Sequence, residues 1–155
     1  MEDAFIQAPT EDEIVARFAA KCPCVNVTKT EHHRVYATVP RENIFQVCTY
    51  IHDILNFEHC STVIGVDYVD HMTVVYHLTN YFTGIMIELS ADVPNDDLHI
   101  ESVTPIWEGA NWHERETWEL FGIVFDNHPK LERLLTPKTY EFFPFRKSYK
   151  LRGSQ

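Results

Sequence analysis

Hydrophobic positions along this chain switch repeatedly between a spacing of three to four residues and a spacing of two. The first marks one face of a helix, the second one face of a strand. Residues 10–21 place Ile14, Val15 and Phe18 behind Thr10 and Glu13, the two halves of a capping box, and predict a helix. Val25 to Thr28 reads as a short strand, and Arg34 to Val39 alternates as a second. Pro40 then suits the first turn of a helix running to about Asn56, with Ile44, Phe45, Cys48, Ile51, His52 and Leu55 on its inner face. Three strands follow, over 61–68, 72–79 and 83–89, joined by links too short for anything but antiparallel turns. Asp92 to Asp97 reads as a polar turn, and Leu98 to Ile106 as one more strand.

A third helix-like pattern covers 112–121, "WHERETWELF", and Gly122 ends it. At 100° per residue, Leu120, Thr117, Phe121 and Trp118 share one arc, with Glu114 among them. Arg115, Glu119, Trp112 and Glu116 share the other. Arg115 and Glu119 stand four apart, the spacing of a surface ion pair. A carboxylate in an apolar arc must be paired or protonated, because an unpaired buried charge is costly, and two readings of Glu114 stay open. In one, Arg133 or another base reaches it; in the other, it lies on the helix's first turn, favoured by the helix dipole. Asp126 to Pro129 is a turn, and Pro129 opens a short helix holding Leu131, Leu134 and Leu135, stopped by Pro137. The fold class predicted is α+β: a mixed, largely antiparallel sheet with helices on one face, in a single domain over 1–135. From 136 to 155 the texture changes to an extended tail, rich in aromatics and bases and without period. Its rings Tyr140, Phe142, Phe143, Phe145 and Tyr149 either fold back on the sheet or lie in a groove of another subunit.

Composition narrows the function. The chain has 155 residues, 45% of them apolar, and a net charge of −10. That balance supports one core and disfavours nucleic acid, whose phosphates a like-charged surface repels. Acid gathers at residues 2–13 and base at 146–152, so the tail is either a solvated segment or a dock for an acidic partner. No apolar run reaches the roughly 20 residues of a membrane span. The opening residues are acidic rather than secretory, which predicts reduced Cys22, Cys24, Cys48 and Cys60.

His113-Glu114 opens like a zinc-protease helix, but the second histidine would fall at 117, where Thr117 stands. Cysteine spacings of 2, 24 and 12 residues do not suit an iron–sulfur cluster. Neither a phosphate-binding glycine loop nor a nucleophile elbow occurs.

"ANWHERETWELFGIVFDNHPKLERLLTP", residues 110–137, resembles the signature of the thirty-kilodalton subunit of respiratory complex I. The likeness extends to "VVYHLT" at 74–79, "SVTPIWEGANW" at 102–112 and "PFRKSY" at 144–149, and covers about 60–150. Tyr140, Phe142, Phe143, Phe145 and Ser148 depart from the family's usual tail, which implies a somewhat different partner surface.

The resemblance implies a redox-inactive structural subunit in the peripheral arm of an ion-pumping membrane oxidoreductase. Such a subunit braces a hydrogenase-like large subunit near the quinone-reduction site and the terminal iron–sulfur subunit. It implies no catalytic, cofactor or metal residue here, with the iron–sulfur clusters and quinone in partner subunits. The chain would sit on the cytoplasmic side of the membrane, or its matrix or stroma equivalent, touching the membrane only through the complex. The electron donor is read by other subunits, so the branch, whether NADH, ferredoxin, reduced deazaflavin or membrane-bound hydrogenase, stays open. The signature and interface residues it marks are Trp112, Glu114, Arg115, Glu116, Glu119, Leu120, Phe121, Gly122, His128, Pro129, Arg133, Pro137, Arg146, Lys147 and Tyr149. Arg115, Glu116, Glu119 and Arg133 are expected in ion pairs within or between subunits. A small stand-alone acid–base enzyme and an unrelated adaptor are the alternatives.

Overall fold

The computed structural model describes residues 9–151. Helix α1 (Glu11–Lys21) begins at Thr10 with both halves of the capping box formed. Strands β1 (Asn26–Glu31) and β2 (Arg34–Thr38) make a hairpin, and a 3-10 turn (Arg41–Asn43) leads into helix α2 (Ile44–Asp53). Strands β3 (His59–Asp67), β4 (His71–Thr79) and β5 (Met86–Pro94) follow, then β6 (His99–Glu101), helix α3 (Ala110–Phe121) and β7 (Val124–Asp126).

The main sheet has the order β1-β2-β5-β4-β3. Only β2 and β5 pair in parallel; the other contacts in that sheet are antiparallel. Alternation decides which face is covered. Val35 and Ala37, Val74, Tyr76 and Leu78, and Ile87, Leu89, Ala91 and Val93 all point inward and are buried. Ile14 and Phe18 from α1 and Ile44, Val47, Cys48 and Ile51 from α2 close over them. The opposite face carries Tyr36, His77, Glu88 and Ser90, the polar half of the same alternation. The predicted architecture of helices on one face of a mixed, mostly antiparallel sheet is the one found.

Several boundaries differ from expectation. In α2 the buried stripe runs through Val47, and Phe45 is 37% exposed rather than inward. Strand β5 starts only at Met86, because Asn80 to Gly84 form a turn, and it continues through Pro94 because Val93 extends the inward row. The strand expected over 98–106 stops at Glu101. Strand β7, which reads as a link in the sequence, pairs in parallel with β6. No helix forms over 129–135. The amides of Leu134, Leu135 and Thr136 bond to the Glu119 carboxylate instead of to carbonyls one turn back.

Helix α3 lies on edge strand β3. Thr117 donates its hydroxyl to Val63 O at 2.9 Å, taking up a carbonyl inside the packed face. The close approach depends on Gly65, where a Cβ would lie 2.7 Å from the Phe121 ring and 3.1 Å from the Thr117 methyl. Gly65→Val is therefore expected to cost about 1–3 kcal/mol through overpacking. A denaturant titration that placed the variant within a few tenths of a kcal/mol of wild type would remove Gly65 as the spacer.

Candidate functional site

The signature residues converge on α3 and the segments packed around it. Glu114, in the second turn of α3, is fully buried. Ser102 Oγ (2.6 Å) and Thr104 Oγ1 (3.0 Å) donate to one of its oxygens, and Val103 N (2.8 Å) donates to the other. All three donors are neutral. Burial pushes the Glu114 carboxyl up to about 7, against the pull of those hydrogen bonds and with a small further push from Glu101.

Of the sequence readings of Glu114, Arg133 as its partner and a place on the first turn are corrected, and the base that approaches it is His128. Arg133 lies elsewhere, and α3 begins at Ala110, which puts Glu114 beyond the first turn. The nearest basic side chain is His128, its Nε2 3.9 Å away. His128 Nδ1 accepts from Lys130 N at 3.0 Å, so its proton sits on Nε2, facing Asn111 O at 3.2 Å. Burial lowers the histidine's pKa, which keeps it neutral beside Glu114.

Glu119 is equally buried but ionised. It accepts from the amides of Leu134 (2.8 Å), Leu135 (2.9 Å) and Thr136 (2.5 Å), and from the Thr136 hydroxyl (2.5 Å). Burial is the largest single influence and acts upward. The Thr136 hydroxyl and the three amides together outweigh it and hold the carboxyl below its ordinary value. The expected Arg115–Glu119 pair does not form. Arg115 Nε donates to Glu132 O at 2.9 Å, and its guanidinium lies 5.1 Å from the Trp112 ring centre.

Arg133 sits among aromatics, with Trp118, Tyr140 and Phe143 ring centres 5.5 to 5.7 Å away. It also donates to Thr136 Oγ1 at 2.9 Å and to Phe142 O at 3.3 Å. Thus Arg115, Glu119 and Arg133 bind backbone and rings of their own chain rather than one another, and no ion pair joins them among the described residues. Glu116 is exposed on the outer face of α3, and Trp112 is 61% exposed beside it.

The end of α3 organises the tail. Gly122 adopts φ 81°, closing the helix with its amide on Trp118 O at 2.7 Å. A Cβ there would strike the Arg146 guanidinium and the Phe143 ring. Arg146 Nε donates to Phe121 O at 2.6 Å, a cation on the helix's negative end. Its guanidinium also lies 4.4 Å from the centre of Phe143. Phe145 N reaches Leu120 O at 3.0 Å, and Lys147 N reaches Asp67 Oδ2 at the end of β3 at 2.8 Å. Tyr149 shares a 3.0 Å hydrogen bond with Tyr140. Phe142 and Phe145 remain 60% exposed. Pro129 and Pro137 bound the 130–136 segment, and Leu120 packs at the buried side of α3.

His113 and Thr117 do not form a metal site, and no group of three metal-ligating side chains occurs among the described residues. A groove of about 490 Å³ between α3 and β3 is lined by Ile64, Gly65, His113, Glu116, Phe121 and Phe145. Sequence reasoning missed Ser102, Thr104, Asp67 and Thr136. A hydroxyl or a carboxylate in a loop carries no periodic signal that would mark it.

The two carboxylates predict opposite pH responses. Glu114 has a raised folded-state value, so its contribution is fully present below about 4.5 and is lost as pH rises through about 7. Glu114→Gln is expected to flatten that decline, worth roughly 3 kcal/mol at about 1.36 kcal/mol per unit. Denaturation at about pH 5 and about pH 8 checks it, and parallel wild-type and variant profiles would contradict it. Glu119 has a lowered value, so its contribution is present above the unfolded value and lost as pH falls through the folded one. Glu119→Gln is expected to cost about 2–3 kcal/mol at neutral pH, because its NH₂ would face amide donors.

Residues 37–155 match the family described as respiratory-chain NADH dehydrogenase, 30 Kd subunit. The C subunit of an F(420)H(2) dehydrogenase from Methanosarcina mazei is 41% identical over 125 residues, covering 73% of this chain and 79% of that protein. The C subunit of an NADH-quinone oxidoreductase from Geobacter sulfurreducens is 37% identical over 123 residues, with coverages of 77% and 76%. The corresponding protein of Salinispora tropica is 42% identical, but this chain spans only 48% of it, about half its length. Among solved structures, a chain of the membrane-bound sulfane sulfur reductase, an archaeal respiratory membrane complex, superposes with a TM-score of 0.82, covering 91% of this chain and 86% of that one. At 24% identity that likeness speaks to the fold alone. A trypsin-resistant fragment of Nqo5 gives a TM-score of 0.65 at 26% identity, covering 77% of this chain and 98% of the fragment. With its signature residues gathered on α3 and the segments that α3 holds, the chain belongs to the family of the 30 Kd subunit of respiratory-chain NADH dehydrogenase, a subunit of complex I-like membrane oxidoreductases.

Proposed function

We propose that this chain is a redox-inactive structural subunit that braces the hydrogenase-like large subunit near the quinone-reduction site and the terminal iron–sulfur subunit. One observation carries the reading. Five charged groups of the signature are turned onto the chain's own backbone and rings. Glu114 holds 102–104, Glu119 holds 134–136, and Arg115, Arg133 and Arg146 hold 132–146. Groups engaged in this way shape a surface rather than meet a substrate. The surface they shape exposes Trp112, Leu135, Phe142 and Phe145, large apolar side chains of the kind that anchor protein interfaces.

In this reading the tail, residues 136–155, docks on the large subunit through its outward rings and Lys147, with Glu116 of α3 on the same interface. The inward side of the same tail is held by Arg146 and Phe143. Iron–sulfur clusters and quinone belong to the partners, and the chain lies on the cytoplasmic side, or its matrix or stroma equivalent. No helix among the described residues is long and apolar enough to cross a membrane. Attachment through the complex follows from this reading.

Purification of the tagged chain from native membranes in mild detergent, with mass spectrometry, tests the proposal. A hydrogenase-like large subunit and iron–sulfur proteins are expected in the eluate, and recovery of the chain alone as a soluble monomer would contradict the reading. Arg133→Ala and Arg115→Ala are expected to lower the amount of assembled complex while leaving turnover per assembled complex unchanged. Full assembly with lost turnover would assign these residues a direct part in the reaction.

A further inference from the structure

We propose that Phe82, at the tip of the turn between β4 and β5, is a preorganised anchor that inserts into an apolar pocket with a basic rim on a second protein surface. This rests on the subunit reading above, and it adds a contact separate from the one made by α3 and the tail.

Phe82 is 89% exposed, and its neighbour Tyr81 is 65% exposed. The turn beneath them is rigidly held. Asn80 is almost wholly buried. Its side-chain oxygen accepts from Phe82 N at 2.9 Å and Thr83 N at 3.1 Å, while its amide nitrogen donates to Asn56 O at 2.8 Å. Glu58 accepts from Tyr81 N at 2.7 Å, and the Tyr81 ring stacks on His59 with centres 5.0 Å apart. Gly84 at φ 70° completes the return, its amide on Asn80 O at 2.9 Å. An isolated exposed phenylalanine on a loose loop would mean little. Here the backbone ordering needed for binding is already complete in the free chain, which lowers the entropic cost of association. Exposed aromatic rings held in this way are the side chains that dominate interface energetics.

Charge selects the partner. Between Arg41 and Arg115 the sequence contains no lysine or arginine, and twelve aspartates or glutamates. Glu58, bonded to Tyr81 N, brings one of these carboxylates directly to the turn. A complementary surface must therefore offer bases around its pocket. The same charge opposes insertion of Phe82 into a bilayer with anionic headgroups. Position separates this contact from the tail. Lys147 meets Asp67, which pairs with Met72 at the start of β4, whereas the turn follows Thr79 at its end. From Met72 to Thr79 the strand runs seven steps, roughly 23 Å at about 3.3 Å per residue.

The test places a benzophenone-bearing phenylalanine analogue at position 82 of the full chain in its native membranes, with F82S in parallel. Expected are a protein adduct at position 82 whose yield falls as salt is raised, and at least about a tenfold lower recovery of that protein with F82S in mild detergent. F82S should leave the thermal midpoint of the chain unchanged. A lipid adduct, no adduct, a salt-independent adduct or undiminished recovery with F82S would overturn the proposal. If wild type brings down no oxidoreductase subunits, the subunit reading fails. The adduct at position 82 then still decides the anchor by itself.

Discussion

The Glu119 carboxylate, buried in α3 and bonded to three consecutive amides of 134–136, is the interaction on which the rest of this surface depends. The segment between Pro129 and Pro137 has helical spacing but does not close its own hydrogen bonds as a helix. It is ordered by handing its donors to a side chain of a different element. Once 134–136 is fixed, Arg133 is directed into the space between Trp118, Tyr140 and Phe143. That in turn sets the path by which 140–147 returns to Phe121 and Asp67.

Glu114 does the corresponding work on the other side of α3, five residues earlier, but with three donors where Glu119 has four. Two carboxylates of one helix thus differ in charge state because one is offered enough hydrogen bonds to remain an anion and the other is not. Neither is paired with a base. Polar groups buried in this way add less to stability than to uniqueness: a slipped register of α3 would leave both carboxylates and the loops they hold unsatisfied. For a chain that shapes a docking surface, a single well-defined arrangement of loops is the property that matters.

Elements with a long, clean period were legible in the sequence. The capping box of α1, the span of α3 and its glycine stop, and strand β4 lie within one or two residues of expectation. The missed features have nonlocal causes. Residues 129–135 have helical spacing, but their amides are claimed by Glu119. Glu119 itself falls on the polar arc of α3, and it is buried by a segment that only the tertiary fold brings over it. Strand β7 is three residues long, too short for a period to register. Arg115 and Glu119 satisfy the spacing of a surface pair, yet each finds a backbone group that binds it better. The signature motif was readable as a string, whereas the bond each of its charges makes was not.

The most direct test of this account is amide hydrogen exchange on the full chain, comparing wild type with Glu119→Gln at neutral pH. If the carboxylate orders the segment, the amides of Leu134, Leu135 and Thr136 lose protection by at least about tenfold, while the amides of β4 and β5 exchange as before. Unchanged protection at 134–136 would mean that packing alone orders this segment, and Glu119 would lose its place as the organising group.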